Sequence, residues 1–541
     1  IGGGTSSLAS GSITIHGGII NATGGVANNN FGNPNYGGAG IGGSTTSSGN
    51  GGNSGTIEIY GGTITANSGE GSSTGAGIGG GGSGQGSGGS GNDITIYGGS
   101  VTAASTGTNI GGAGIGGGGG NKDGGTGENI NIYGGTIKAT GSFLGAGIGG
   151  GGSGAIDDSI QKSGDGAVTI SGGIVTAVGS DYAAGIGGGG GYYSSYTWGG
   201  TTYGSGCTGG TGSVTITGGI VDAKGGAGNS SGNYAGAPIG NGGNTTATAT
   251  VSKTNAIVFE NGAGTVCGDV TLDGSYTVPG DYTLNIPVGA SLSGSGTLSG
   301  GSAFTTENLT ADMISVPSNL YYDGKDRTEY LTTELSAELT RGVTICGQTF
   351  TVSGWTVAVS RTDDLHYTAT YTNTDNSTTF QKTITLQQSG TTLDGAVKTY
   401  NSDTQTTTFT ASDTITVKAT PTATGQAPAN SAMFAASFTG PGAGQMAVFV
   451  GDTQVSEAVD AGTDGSYAIA VKAADVLEQG NVEPNGDPIT LTAKFVGNNN
   501  MADAAGTVNV NISAVAKVEK YGSTTYVGNL DDAFKTENDG A

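Results

Sequence analysis

The stretch GAGIGGGGS at residues 75–83 sets an alanine and an isoleucine two apart in a run of glycine, and it recurs. GAGIGG stands at 38–43, GAGIGGGGG at 112–120, GAGIGGGGS at 145–153 and AGIGGGGG at 184–191, with a looser copy, AGAPIGNGG, at 235–243. The chain opens on IGGG, which reads as the tail of one more copy, so the sequence is expected to be a piece of a longer protein. A flexible linker has no reason to hold its isoleucine in register. Each copy must therefore place its Ala and Ile against something.

A second motif keeps step with the first. SITIHGGIINATG (12–24), TIEIYGGTITANSG (56–69), DITIYGGSVTAASTG (93–107), NINIYGGTIKATG (129–141), AVTISGGIVTAVG (167–179) and SVTITGGIVDAKG (213–225) are versions of one pattern. Their first isoleucine or valine falls at 13, 57, 94, 130, 168 and 214, a period typical of solenoids, propellers or arrays. Ile57, Ile59, Ile64 and Ala66 alternate with Glu58, Thr63 and Thr65, and period two means strand with one face buried. The Gly-Gly between the two arms turns a corner, since glycine takes positive φ at little cost. GAGIG then reads as a third short strand, with Ala76 and Ile78 inward and glycines outward. Three arms per copy describe a coil of a parallel β-helix, expected right-handed, whose core becomes continuous only on stacking. The Gly/Ser stretches 81–92, 116–128 and 187–212 are expected as loops that absorb differences in length.

Glycine thins out after about residue 245, and 256–301 still alternates in shorter coils. The expected organisation is all-β. A β-helix covers 1–310, with long coils to about 245 and shorter ones over 246–310. Two β-sandwiches follow at 311–388 and 389–514, and 515–541 starts a further, truncated repeat domain. Strands of the first sandwich are read at YLTTELSAEL (330–339), TVAVSR, HYTATYTN and TFQKTITLQ. ITLTAKFVGNNNMADAAGTVNVNIS (489–513) resembles the closing strands of bacterial immunoglobulin-like domains, with their G-x-N-x turn and final Val-rich strand. The glycine-rich repeats resemble β-helical regions of large surface proteins from Gram-positive gut bacteria. The first resemblance implies two immunoglobulin-like stalk domains, and the second implies architecture only. Lys418, Lys472 and Lys494 would be available for isopeptide crosslinks of the kind some such domains carry.

Composition narrows the function. The 541 residues include 115 Gly and carry a net charge of −24 with a pI near 4.1, which argues against nucleic acid or an anionic membrane as partner. Cys207, Cys267 and Cys346 have no C-x-x-C spacing, so they form no zinc site, although one bridge is left open. No apolar run reaches spanning length, so no direct membrane insertion is expected.

β-helices also occur in polysaccharide lyases and glycosidases, which need clustered carboxylates, often beside a cationic residue. Before residue 245 the chain has no Arg and only Lys122, Lys138, Lys162 and Lys224. Its acids there are scattered, and the adjacent pair Asp157–Asp158 reads as a solvated turn. His16 and His366 fall in different domains, and no glycine run is followed by the Lys-Ser or Lys-Thr of a phosphate loop. Neither catalytic residues nor a metal site are expected. The one cofactor left open is weak Ca²⁺ binding by scattered acids.

Two surfaces are candidates for a carbohydrate ligand. One is a ladder of His16, Tyr60, Tyr97 and Tyr133 at the same position of successive copies, continuing as Ser171 and Thr217. Stacked tyrosines could offer sugars an apolar face with a hydroxyl rim, or could simply stabilise the sheet. The other is the stretch GYYSSYTWGGTTYG (191–204), which gathers Tyr192, Tyr193, Tyr196, Trp198 and Tyr203 in a loop otherwise expected to be Gly/Ser. The expected function is that of an extracellular, non-enzymatic surface adhesin. Its β-helix would present a face to a glycan or host-cell protein, on an immunoglobulin-like stalk attached to the cell wall outside this sequence. A ligand-free spacer and a carbohydrate-active β-helix enzyme are the alternatives.

Overall fold

The computed structural model describes residues 1–2, 10–27, 35–154, 160–191, 193–198, 201–229, 234–318, 320, 326–363, 365–386, 390–398, 408–422, 445–464, 466–495, 506–528 and 530–535. Tyr192, Asp157, Asp158 and the G-x-N-x turn after Phe495 lie outside the described residues. The chain divides into two compact units, residues 1–309 with 342–353, and residues 310–341 with 354–541.

The first unit is a parallel β-helix built from three stacked sheets. In the first sheet Ile13, Ile57, Ile94, Ile130, Val168, Val214 and Val251 stand in register, one per coil. The second aligns Ile20, Ile64, Val101, Ile137, Val175, Val221 and Val258. The third stacks Ile41, Ile78, Ile115, Ile148, Ile186 and Ile239. Most of these side chains are fully buried in one continuous core, and burying each contributes roughly 1.5–3 kcal/mol. The corner between the first two arms is the Gly-Gly pair, its second glycine at φ +100° (Gly62), +94° (Gly99) or +91° (Gly135). A β-branched residue could not hold that conformation.

The glycines of the third arm are not outward, as the alternation suggested. They are buried, and the Gly/Ser stretches after them are not surface loops along their whole length. After GIGGG the chain doubles back, and a second line of glycines lies against the first. A backbone hydrogen-bond chain zigzags between the two lines along the solenoid. Gly52, Gly81, Gly89, Gly118, Gly125, Gly151, Gly164, Gly189, Gly210 and Gly242 each donate to the previous member, starting at the Ser44 carbonyl, over 2.8–3.0 Å. A β-carbon on nearly any of these glycines would overlap the carbonyl of the preceding member of its own line, one coil back, and one on Gly43, Gly80, Gly117, Gly150 or Gly188 would overlap a carbonyl of the facing line. The repeat keeps glycine because main chain packs on main chain. The side-chain core lies on the other flank of the Ala-x-Ile arm.

Beyond residue 250 the second sheet runs on through Ala256–Glu260, Ala263–Cys267, Thr283–Ile286 and Ala303–Thr306. Beside it, Asp269–Thr271 and Ser275–Val278 pair in parallel with Ser291–Ser293 and Thr297–Gly300, so these coils are short. The hairpin Val343–Ile345/Gln348–Val352, expected in the first sandwich, instead closes this sheet: Thr305 pairs with Thr351 and Thr306 with Val352.

In the second unit YLTTELSAEL belongs to a helix, Thr328–Arg341, and not to a strand. Leu331, Leu335 and Leu339 recur every four residues and are buried, a helical stripe that outweighs the threonines. Thr332, Thr333, Ser336 and Thr340 donate their hydroxyls to carbonyls one turn back, which accommodates them in the helix. The helix packs beside Trp355–Arg361, an edge strand of an antiparallel sheet with His366–Asn373 and Thr379–Thr385. Among the described residues of 311–388 this is a helix on one sheet, where two facing sheets were expected.

The described strands of residues 390–513 fall into two sheets. One comprises Gly390–Lys398, Thr414–Thr422 and Tyr467–Lys472; the other has Thr408–Thr410, Gly506–Ser513, Ile489–Phe495, Gln445–Val450 and Thr453–Gln454. Ile415, Val417, Tyr467 and Ile469 of the first sheet and Met446, Val448, Leu491 and Val510 of the second are buried. A hairpin, Ala516–Lys520/Ser523–Val527, and a helical turn, Leu530–Ala533, follow.

Candidate functional site

The aromatic ladder is formed. Ring centroids lie 5.1 Å apart for His16–Tyr60, 4.6 Å for Tyr60–Tyr97 and 5.4 Å for Tyr97–Tyr133, with planes within 25° of parallel. This is the coil spacing of about 4.8 Å, so the strands set the stack. The inner rings cover one another's faces, leaving edges and hydroxyls to solvent. The outer face of Tyr133 instead looks toward the next rung, where Thr217 donates to the Ser171 hydroxyl at 3.2 Å. Burial against its neighbours, with the charges of Tyr60 and Glu58 behind it, raises the Tyr97 phenol above its ordinary value.

Over its described residues 193–198 and 201–204 the aromatic stretch is paired β-strand, not an irregular loop. Tyr193–Trp198 pairs antiparallel with Thr201–Thr208, setting Tyr196 opposite Tyr203 and Trp198 opposite Thr201. Its root is tied into the solenoid: Gln161 and Lys162 pair in parallel with Cys207 and Thr208. Asn244 Nδ2 donates to the Cys207 carbonyl at 2.8 Å.

At that root lies an open groove of about 910 Å³, unforeseen in the sequence, lined by Lys162, Thr208, Thr211, Tyr234, Asn241, Asn244 and Thr245 among others. It exists because the glycine layer ends here. Gly43, Gly80, Gly117, Gly150 and Gly188 follow the Ile-Gly of the third arm and cannot carry a β-carbon, whereas the sixth copy has Asn241. No seventh third-arm strand overlies it among the described residues, and the coils that follow take the shorter path, so the last glycine pass is left as a ledge.

The side chains around the ledge are held. Asn241 accepts from Gly212 N at 2.9 Å and donates to the Ala247 carbonyl at 2.5 Å. Lys162 Nζ donates to Asp165 at 2.7 Å, and Thr211 donates to the same carboxylate through its amide at 2.7 Å and its hydroxyl at 2.8 Å. Burial pulls the Asp165 carboxyl upward, but these bonds outweigh it and keep it below its ordinary value. Tyr234 sits at φ +63° with 38% of its surface exposed. A signal for the ledge was present in AGAPIGNGG, the copy that breaks the glycine pattern.

Elsewhere, Asp222 is a nearly buried carboxylate where the long coils end. The Tyr282 hydroxyl donates to both its oxygens at 3.1 Å, and Lys224 lies 5.1 Å from the centre of the Tyr282 ring. Burial raises its pKa, against the opposing pull of Tyr282 and Lys224. Among the described residues no three His, Cys, Asp or Glu converge as metal ligands, and no disulfide joins Cys207, Cys267 or Cys346. No helix among the described residues is long and apolar enough to cross a membrane. Lys418 and Lys472 are exposed, and Lys494 Nζ lies 3.9 Å over the Phe449 ring.

No curated protein and no solved structure gives a significant match to the chain. Residues 57–82, 94–119, 130–152, 168–190 and 214–233 match the Beta helix repeat family model, one match for each of five successive coils, and with the stacked sheets this makes the chain a β-helical repeat protein.

Proposed function

We propose that the chain is the ligand-presenting part of an extracellular, adhesin-like surface protein, whose β-helix binds a glycan without turning it over. The observation that carries this reading is the open groove at the root of the Tyr/Trp hairpin. An aromatic ring, threonine hydroxyls and hydrogen-bonded asparagines on a rigid solenoid form a pre-organised polar site with an apolar face. The second unit is the stalk, with residues 390–513 in two sheets as an immunoglobulin-like domain. A Gram-positive source and attachment outside these residues are part of the same proposal.

The test is a glycan and mucin array probed with the full chain, beside a variant carrying Tyr193→Ser, Tyr196→Ser, Trp198→Ser and Tyr203→Ser. Signal on a defined glycan class that the variant loses supports the adhesin. A folded chain that binds no glycan favours the ligand-free spacer, for which the interlocked glycine layer is the supporting observation. Release of sugar fragments would favour an enzyme.

A further inference from the structure

Building on that reading, we infer that the ledge takes an uncharged oligosaccharide, with one pyranose ring against Tyr234, and discriminates against sialylated or sulfated chains. The groove's lysine, Lys162, is ion-paired with Asp165 at 2.7 Å, so its positive charge is offset by a carboxylate before an anion arrives. The surroundings repel anions: the chain carries −24, and residues 1–245 hold four lysines and no arginine. Within a Debye length of about 8 Å at physiological salt, the Asp165 carboxylate is the nearest fixed negative charge to that lysine. What remains suits hydroxyls. Asn244 gives one amide hydrogen to the Cys207 carbonyl, and its side-chain oxygen is an acceptor group, beside the hydroxyls of Thr245 and Thr246. Tyr234 supplies a ring on which the C–H face of a sugar can lie. Its left-handed backbone (φ +63°) is one that asparagine also adopts readily, so the ring can be removed without forcing the turn.

The experiment uses the full chain and matched mucin-type O-glycans, desialylated and sialylated, with heparin as a polyanion, at physiological salt. The expected result is binding to the desialylated glycans, about tenfold or more weaker binding to their sialylated counterparts and none to heparin. Tyr234→Asn should weaken the neutral interaction by about tenfold, while Tyr60→Ser in the ladder leaves it unchanged. Equal or tighter binding of sialylated glycans, or a Tyr234→Asn variant that binds like the parent, overturns this inference and leaves the adhesin reading standing. If no glycan of either kind binds, the adhesin reading falls and this inference with it.

Discussion

Replacing Gly89 by alanine adds one methyl group to a 541-residue chain, yet it should be among the most damaging single changes available. The new β-carbon would overlap the Gly52 carbonyl group, lying 2.6 Å from its carbon. A normal contact needs more than 3 Å, so Gly89 must separate from the Gly52 carbonyl, which lies one coil back on the same glycine line. Separation stretches the bonds Gly89 N to Gly81 O and Gly118 N to Gly89 O, both 2.9 Å. Overpacking typically costs about 1–3 kcal/mol, and each buried amide or carbonyl left unpaired about 1–3 kcal/mol more. Gly89→Ala should therefore destabilise the β-helix by roughly 3–6 kcal/mol. Gly17→Ala is the control, because nothing lies within 4 Å of a β-carbon there and the first glycine of the corner has no positive φ. That change should be neutral or gain about 0.4–1 kcal/mol from a stiffer unfolded chain. Urea unfolding followed by far-ultraviolet circular dichroism compares the two. Equal midpoints for Gly89→Ala and Gly17→Ala would refute the packing of main chain on main chain.

Tyr97→Ala removes two stacked contacts and should cost about 1–2 kcal/mol, read as a lowered urea midpoint. Because the Tyr97 phenol is raised above 10.0 in the fold, its contribution is complete below that pH and is lost as pH climbs through the folded value; absorbance titration near 295 nm should show its late ionisation. Asp222 is likewise raised, from 3.8, so the fold holds its proton more tightly than the unfolded chain and stability declines as pH rises through that window. Asp222→Asn should flatten this decline, while Tyr282→Phe, which strips the carboxylate of its hydroxyl donor, should cost about 1–3 kcal/mol at neutral pH in the same urea assay. Leu335→Ala in the second unit should cost about 2–5 kcal/mol, as for a fully buried leucine, and Glu329→Ala on the same helix much less.

The strand pattern was legible because isoleucine and valine report burial: the register of Ile13, Ile57 and Ile94 follows from spacing alone. The Gly-Gly corner was legible for a related reason, since a turn that needs positive φ selects glycine. The buried glycine layer was not, because a residue without a side chain looks the same in a core and in a linker. The helix at 328–341 hid behind its threonines, although Leu331, Leu335 and Leu339 carried the helical period. The aromatic ladder followed from register. That its rings occupy one another's faces depends on the coil spacing, which the sequence does not state. The ledge escaped because it is made by an ending: Tyr234, Asn241 and Asn244 matter where the next layer of glycine fails to arrive.

The measurement that bears most directly on the account is a crystal structure of the chain soaked with the neutral oligosaccharide that binds best. The account predicts a sugar ring on Tyr234, between Lys162 and Asn244 at the root of the hairpin, with the Lys162–Asp165 pair intact. A sugar seated instead along His16–Tyr133, or in the cavity of the second unit beside Lys472 and Asp475, would contradict it.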